Sequence, residues 1–436
     1  MASPTQGSTY ENIEIVPNSG GEGTQLKVKC QYFQFFENLT SPCFTAIMKI
    51  ATTGDDVGGQ GLYNGIPIKG GERVKIHITT PIEINRQETP GIFEIDMFVN
   101  KMTNYMQDKQ METFILHLIS KEGMINLNRR VVEKYKATKI SDIIKDLLKK
   151  IKCEDEGIDV IEETTKNINF IGNMRKPLTI APMLAKRAVP ATSSGDGQGV
   201  VSAGFFLWQT TKGMRFRSVE SLIKDEKPSE TYWYNRQNEA LENPEKSFTK
   251  ILSYTVDNGD IIASQRGGEY STYRIYFDPN TFKFTKPDDA VFAQEENVQE
   301  TLGSDDEKCP PPIANKLFAK PEMAHRIVTS VYATGCLEPK SVGIAATTIN
   351  MDETEDVGQA ITRYKSLFTQ IVTIQVPVNV SLNAGDTIKC MFPEVAEEDK
   401  TDYTQSGLYI IKEISHFFGR NESYTAMKIV RDTSGI

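Results

Sequence analysis

The sequence predicts a β-rich α+β fold with two tube-like antiparallel β-barrels, a mixed α/β domain between them and an insertion within the second barrel. Short segments of alternating apolar and polar residues near both ends of the chain predict the barrels. Segments with the 3.6-residue period of a helix lie between them and predict the mixed domain. The length of 436 residues fits this arrangement, because it corresponds to about three domains of roughly 100–200 residues each.

The first barrel is predicted over residues 1–125. Four segments of this region alternate apolar with polar residues, at 25–36, 72–79, 93–99 and 113–120. In the first of them the alternation places Leu26, Val28 and Cys30 on one face, which we expect to be buried. Glycine, proline and asparagine separate the segments, which is typical of a half-buried antiparallel sheet.

The mixed domain is predicted over residues 126–245. A helix is expected over Ser141–Ile151, because its isoleucines and leucines form one stripe and Ser141 can serve as N-cap. A second short helix is expected after Thr179, with Pro182 in its first turn. Residues 191–199 are predicted to form a flexible loop.

A hairpin with strands at 204–209 and 214–218 ends this domain and is its strongest apolar feature. The run Phe205-Phe206-Leu207-Trp208 predicts a strand that is buried on both faces. An exposed aromatic binding surface is the alternative interpretation of the same run.

The second barrel is predicted in two parts, at 246–286 and 356–436. Its expected strands are 251–256, 260–263, 272–277, 369–380, 387–392, 408–414 and 424–430. A helix is expected over 355–368. The insertion at 287–355 separates the two parts, and its residues 288–307 carry eight acidic residues and no basic one, which indicates an exposed, poorly packed segment.

The composition argues against several classes of protein. A net charge of -9 argues against a general binder of nucleic acid or anionic membranes. No apolar run approaches the roughly 18 residues of a membrane span. The first residues lack the basic start and apolar core of a signal peptide, so we expect a protein made in the cytoplasm.

We predict no catalytic, cofactor or metal site, and therefore no enzymatic activity. The six cysteines include no CxxC pair and the four histidines include no HExxH motif. No glycine cluster fits a phosphate loop, and no GxSxG motif of a serine hydrolase is present. The acidic runs lack the spacing of a calcium loop and are interpreted as solvated loops.

Two motifs follow each other along the chain. The first is the helix at 179–189 that leads into the aromatic hairpin. The second is the C-terminal run, in which the helix and strand over 356–376 precede the loop Asn383-Ala-Gly-Asp386 and the segment Tyr409-x-Ile-x-Glu-Ile-x-His416. In this order the motifs resemble the baseplate hub proteins of contractile-tailed, T-even-like phages and the related late-control tail proteins.

The resemblance implies a structural role in the virion. Hub proteins of this kind form a homotrimer whose two barrels per subunit give a ring of six similar barrels. The ring adapts a hexameric tail tube to a trimeric central spike, contacts other baseplate wedge proteins, and lets the tape-measure protein and the genome pass through its bore. The implied location is the tail baseplate, assembled in the cytoplasm of the bacterial host. From the net charge we add the hypothesis of an acidic bore, which would repel DNA.

Three alternatives remain open. A spike protein of the type VI secretion or injection kind shares these barrels, but it carries a needle of β-helical repeats that this sequence does not show. A phage-associated cell-wall hydrolase would need an essential acidic residue. A carbohydrate-binding or receptor-binding module would need Trp208 and Trp233 to be exposed.

Overall fold

The computed structural model describes most of the chain. The described residues are 5–53, 60–81, 91–109, 111–153, 155–165, 167–191, 203–224, 227–234, 248–258, 260–269, 271–278, 282–285, 291–293, 301–302, 326–331, 353–394 and 400–433. Nearly all of the predicted loop at 191–199 and most of the predicted insertion at 287–355 lie outside them. Within this part of the chain, no helix is long and apolar enough to cross a membrane.

The predicted fold class, α+β and rich in antiparallel strands, is confirmed. The strands are β1 (Thr9–Val16), β2 (Thr24–Gln25), β3 (Cys30–Asn38), β4 (Thr45–Thr53), β5 (Arg73–Thr79), β6 (Ile92–Asp108), β7 (Met111–Ile119), β8 (Lys134–Lys139), β9 (Ile158–Ile161), β10 (Asn167–Ile171), β11 (Phe205–Thr210), β12 (Gly213–Ser218), β13 (Thr231–Trp233), β14 (Ser253–Asn258), β15 (Ser271–Asp278), β16 (Lys283–Thr285), β17 (Val291–Ala293), β18 (Arg326–Val331), β19 (Gln370–Pro377), β20 (Thr387–Met391), β21 (Gly407–Gly419) and β22 (Ser423–Arg431). The helices are α1 (Leu62–Gly65), α2 (Lys121–Asn126), α3 (Ile140–Lys150), α4 (Pro177–Ala185), α5 (Val219–Ile223), α6 (Ile261–Gly267) and α7 (Glu353–Ser366).

A sheet of 13 strands contains the same six-strand unit twice. In the N-terminal part neighbouring strands run β1-β5-β6-β7-β4-β3, and in the C-terminal part they run β13-β20-β21-β22-β19-β14. Numbered by chain order within each part, both orders read 1-4-5-6-3-2. The pairings are antiparallel throughout, except for the short parallel pair β13–β20. We call these two parts the N-unit (β1 and β3–β7) and the C-unit (β13, β14 and β19–β22).

The correspondence extends to an irregularity in the fifth strand of each unit. In the N-unit, β6 changes its partner from β5 to β7 at Phe98 and shifts register before Lys101. In the C-unit, β21 changes its partner from β20 to β22 at Ile410 and shifts register before Glu413. Since a bulge bends the strand that carries it, the two units bend their longest strands at the same place.

The units are joined edge to edge by a pairing that we call the joint. The second half of β21 pairs antiparallel with β3, from Glu413 opposite Asn38 to Gly419 opposite Tyr32. The sheet therefore continues from one unit into the other without a break.

The hydrophobic core of the N-unit and that of the C-unit lie on the same face of this sheet. Phe33 and Phe35 belong to the core of the N-unit, and they lie opposite the buried Phe418 and His416 across the joint. Ile414 and Met427 continue that face into the core of the C-unit. The opposite face, which we call the free face, carries half-buried and exposed side chains along β3, β4, β7, β21 and β22.

The mixed domain packs α3 and α4 against the sheet β11-β12-β9, and every residue of β11 is buried, as the sequence predicts. Two details of the prediction are wrong. Ser141 is not an N-cap, because α3 begins one residue earlier and the buried Ser141 hydroxyl accepts a hydrogen bond from the Thr164 N–H at 3.4 Å. Pro182 lies inside α4, which begins at Pro177, a residue type favoured at the first helical position.

Two predicted strand assignments are also wrong. Residues 26–29 form a turn, closed by a hydrogen bond from the Cys30 N–H to the Leu26 carbonyl, and Val28 is exposed. Residues 260–263 begin the helix α6, because the Asp260 side chain accepts hydrogen bonds from the N–H groups of Ile262 and Ala263. The remaining predicted strands and the helix at 355–368 are found near their expected positions, but β6 and β21 continue well past the predicted ends at 99 and 414, to Asp108 and Gly419.

A separate sheet of four strands lies beyond the two units. β15 pairs with β16, β17 and β18, so segments from 246–286 and from 287–355 share one sheet. The domain boundaries given from the sequence stay predictions.

Candidate assembly interface

The large sheet ends in two strand edges that have no partner among the described residues. β14 pairs on one side only, with β19. Residues 101–108 of β6 also pair on one side only, with β7, because the pairing to β5 ends at Phe98. Such edges present unpaired N–H and C=O groups, which form a template for another strand.

These two edges correspond to the two strands that meet in the joint. Residues 101–103 of β6 hold in the N-unit the place that Glu413–Ser415 of β21 hold in the C-unit, and β6 has a second register shift between Thr103 and Met106. β14 holds in the C-unit the place that β3 holds in the N-unit. A second copy of the chain could therefore repeat the joint with these two edges, which have no partner in the described part of this copy.

Side chains on both faces of the sheet hold the joint together. On the free face the Gln34 amide donates to the Ser415 hydroxyl at 2.8 Å. On the buried face the rings of Phe33 and Phe418 stack with centroids 6.0 Å apart, and the Tyr10 hydroxyl donates to the Phe418 carbonyl at 2.7 Å. Backbone pairing, stacking and side-chain hydrogen bonds thus act on the same few residues.

The free face carries few charges. Along β3, β4, β7, β21 and β22 its ionisable acids and bases are Lys49, His117, Lys412, Glu413 and Lys428, and Lys412 is paired with Glu413 at 3.2 Å. Glutamine, serine, threonine and asparagine supply most of its other polar groups. The acidity of the chain is not concentrated here, so the hypothesis of an acidic bore finds no support on this face.

A buried carboxyl group ties the joint to the mixed domain. Glu37 of β3 is 2% exposed, and its two carboxyl oxygens accept hydrogen bonds from the N–H groups of Thr211 and Ala384 at 2.8 and 2.9 Å. Thr211 lies in the turn of the aromatic hairpin and Ala384 in the loop between β19 and β20. Burial raises the pKa of Glu37 to about 8, although these two N–H donors and the charge of Arg215 oppose the shift.

The hairpin makes further contacts to the same loop. The indole N–H of the buried Trp208 donates to the Ala384 carbonyl at 2.8 Å. Arg215 bridges Asp159 at 2.5 Å and Asp386 at 2.8 Å. The N-unit, the mixed domain and the C-unit therefore meet at one small polar cluster, which fixes their relative placement.

His416 lies in the joint and is fully enclosed. It stacks against Phe35 with centroids 6.3 Å apart, and its Nδ1 lies 3.0 Å from the hydroxyl of Thr425. Burial lowers the pKa of His416 to about 4, so the imidazole is neutral at pH 7.

We expect acid to weaken the joint through His416. Its folded-state pKa lies below its ordinary value, so the unfolded chain binds the extra proton and stability falls as the pH drops from about 6.5 to 4. The shift corresponds to about 2 kcal/mol at pH 5. Thermal unfolding of the native chain and of His416→Gln across this range should show the native chain losing more stability.

The matched control for this experiment is His77→Gln, which changes a half-buried histidine of β5 outside the joint. This variant retains His416 and should therefore keep the acid sensitivity that His416 causes. Equal acid sensitivity in His416→Gln and the native chain would contradict the assignment.

The two tryptophans that a carbohydrate-binding or receptor-binding module would expose differ in burial. Trp208 is fully buried, whereas Trp233 is 53% exposed. The interpretation of both tryptophans as an exposed binding surface is therefore wrong for Trp208. Among the described cysteines, Cys30, Cys153 and Cys390 are buried and Cys43 is half-buried, and these four form no disulfide.

Comparison with known proteins shows which solved structures share this architecture. No family sequence model matches the chain, and no curated protein matches it by sequence. In structure it is similar to the tail protein from Neisseria meningitidis MC58, at 9% identity and a TM-score of 0.53, over 98% of this chain and 97% of that one. The chain has the fold of a tail protein. The 43 kDa tail protein of prophage MuSo2 from Shewanella oneidensis is similar to the same degree, at 10% identity and a TM-score of 0.53, over 97% of this chain and 98% of that one.

The tail-protein fold confirms the sequence resemblance at the level of architecture. Both similarities extend over almost the whole chain, so the two units and the mixed domain all take part in them. The low identity explains why the likeness is visible in the strand arrangement and only weakly in the sequence.

Proposed function

We propose that the chain is a structural component of a phage contractile-tail baseplate and that it acts as a trimeric hub. The observation that carries this proposal is the duplicated six-strand unit, whose two copies are already joined edge to edge within one chain. The tail-protein fold supports the same conclusion.

The proposed ring follows from the way in which the units are joined. The joint is head-to-tail, because the fifth strand of one unit meets the second strand of the other. A head-to-tail contact with a fixed rotation can be repeated until it closes a ring. Three chains supply six units, which matches a hexameric tube on one side, while the true threefold symmetry matches a trimeric spike on the other.

The free face of the sheet would line the bore of this ring. Both cores lie on the opposite face, so they would form the outer wall together with the mixed domain. With its few charges, the free face would offer passing DNA and tape-measure protein little to bind. This role is structural and needs no catalytic group, and it places the chain in the virion after assembly in the host cytoplasm.

The mass of the purified chain in solution tests this proposal. Static light scattering on the separated species should give three times the subunit mass of 48.9 kDa for the chain alone, or three subunit masses plus the mass of the spike for the complex with the candidate spike protein. Addition of an unrelated trimeric protein is the control and should give no complex, so that the mass of the species containing the chain stays unchanged. A monomer that no tail component converts to a trimer would contradict the proposal.

A further inference from the structure

An exposed patch of apolar and basic residues lies on the mixed domain, and we call it the turn patch. Its apolar members are Leu127, Val132, Ile171 and Met174, which are 50%, 62%, 53% and 61% exposed. Its basic members are Arg129, Arg130, Lys134 and Arg175, which are all exposed.

The fold brings these residues together at the end of the β8–β10 ladder. Ile171 lies directly opposite Lys134, and a bridge between Val131 and Arg175 extends the ladder. Leu127 directly follows α2, where the Asn126 side chain accepts a hydrogen bond from the N–H of Leu178 at 2.9 Å. The patch therefore rests on hydrogen-bonded backbone rather than on a loose loop.

The turn that carries Met174 is conformationally costly. Asn173 and Met174 have φ values of 48° and 59°, and the Arg175 N–H donates to the Gly172 carbonyl at 3.1 Å. Two central residues with positive φ define a type I′ turn, in which the second position favours glycine. A methionine in this place is strained and also exposed, which points to a role on the surface rather than in stability.

The charge of the patch contrasts with that of the whole chain. The chain carries a net charge of -9, yet four basic side chains surround the apolar ones here. The neighbouring Glu133 is already paired, with its Oε1 2.8 Å from the Nζ of Lys150. An acidic partner with its own apolar face would match both the charge and the exposed apolar area.

We propose that the turn patch binds an acidic amphipathic helix of another protein. Apolar side chains at helical spacing would cover Leu127, Val132, Ile171 and Met174, and flanking carboxylates would pair with the surrounding arginines and lysine. A nucleic acid fits less well, because it has no apolar side chains to cover the four in the patch. The inference does not depend on the proposed ring, whose strand edges lie on β6 and β14.

Binding of a defined peptide tests the proposal. The probe is a fluorescent synthetic peptide of about 18 residues with leucines at helical spacing and glutamates elsewhere. Its control is the same peptide with glutamine in place of every glutamate. Fluorescence anisotropy should show at least about tenfold tighter binding of the glutamate peptide, with the difference shrinking as salt is added.

Two variants separate binding from folding. Met174→Gly should raise the midpoint of thermal unfolding, because glycine adopts the positive φ without strain, and should weaken peptide binding by about fivefold or more. The double variant Arg130→Glu with Arg175→Glu should abolish binding. The matched double variant Lys69→Glu with Lys109→Glu reverses two exposed lysines of the N-unit and should bind like the native chain.

Three results would overturn the proposal. Equal affinity of the native chain for the two peptides would show that charge plays no role in binding. Native affinity for the glutamate peptide in both Met174→Gly and the double variant Arg130→Glu with Arg175→Glu would show that the peptide binds elsewhere. Stronger binding to vesicles of anionic phospholipid than to the glutamate peptide would assign the patch to a membrane surface instead.

Discussion

Replacing Gly385 by alanine is expected to lower the free energy of unfolding by about 4 kcal/mol. Gly385 has a φ of +85°, and a Cβ at this position would lie 2.5 Å from Cζ2 of Trp208. The indole cannot move away freely, because its N–H is bonded to the carbonyl of Ala384. The substitution therefore strains the backbone and also pushes the hairpin away from the loop that fixes all three parts of the chain.

Chemical denaturation of Gly385→Ala beside Gly20→Ala separates these two effects. Gly20 has a φ of +76°, but no atom lies within 4 Å of the place its Cβ would take. Its replacement should cost only about 1 kcal/mol, which is the cost of the backbone conformation alone. Similar losses in the two variants would show that Trp208 and Gly385 are not in close contact.

The sequence predicts the regular elements well where one physical signal dominates. The strands β5 and β7 follow from strict alternation, with Val74, Ile76 and Ile78 buried in the first of them. The hairpin follows from an apolar run with a glycine-containing turn. The short helix α6 is predicted as a strand because its few apolar residues show no helical period, although Asp260 is a usable cap signal.

The candidate interface could not be predicted in the same way. In the sequence, Glu37 is an ordinary polar residue of an alternating strand. The two N–H groups that donate hydrogen bonds to its carboxyl group lie 174 and 347 residues away along the chain. Gly385 belongs to a motif that the sequence shows, but its contact with Trp208 depends on how three parts of the chain assemble. Only the three-dimensional arrangement reveals these roles.

Alternating segments near both ends of the chain predict two β-rich parts, but the strand order that the two units share is hidden in the sequence. The two units share strand order and a bulge position, but these are properties of backbone hydrogen bonding, which different side chains can satisfy. Strand order is set by non-local pairing, and local alternation carries no information about it.

The shared architecture also predicts which residues would meet between two copies of the chain. Each residue of a strand can be followed to the residue directly opposite it on the next strand. In the N-unit, the row traced in this way starts at Phe98 of β6 and ends at Phe36 of β3. Across the C-unit, the corresponding row that starts at Ile410 ends at Asp257. Because Phe36 lies opposite Ser415 in the joint, and Thr103 corresponds to Ser415, Thr103 of one copy should lie opposite Asp257 of the next.

Disulfide formation between these two positions is therefore expected to be efficient. Residues directly opposite each other in antiparallel strands have Cα atoms about 4.5–5.5 Å apart, within the range that a disulfide spans. The double variant Thr103→Cys with Asp257→Cys should link three chains into a closed covalent ring after mild oxidation. The control is Thr103→Cys with Thr373→Cys, in which the second cysteine lies on β19, one strand away from the edge.

The most direct test of the repeated joint is the mass of the oxidised double variant on a non-reducing denaturing gel. We expect a covalent species of three chains, no larger species, and a return to the single chain of 48.9 kDa after reduction. The control variant and each single cysteine variant should give no covalent trimer. A double variant that remains a single chain after oxidation, or that crosslinks no better than its control, would contradict the pairing of β6 with β14 between copies.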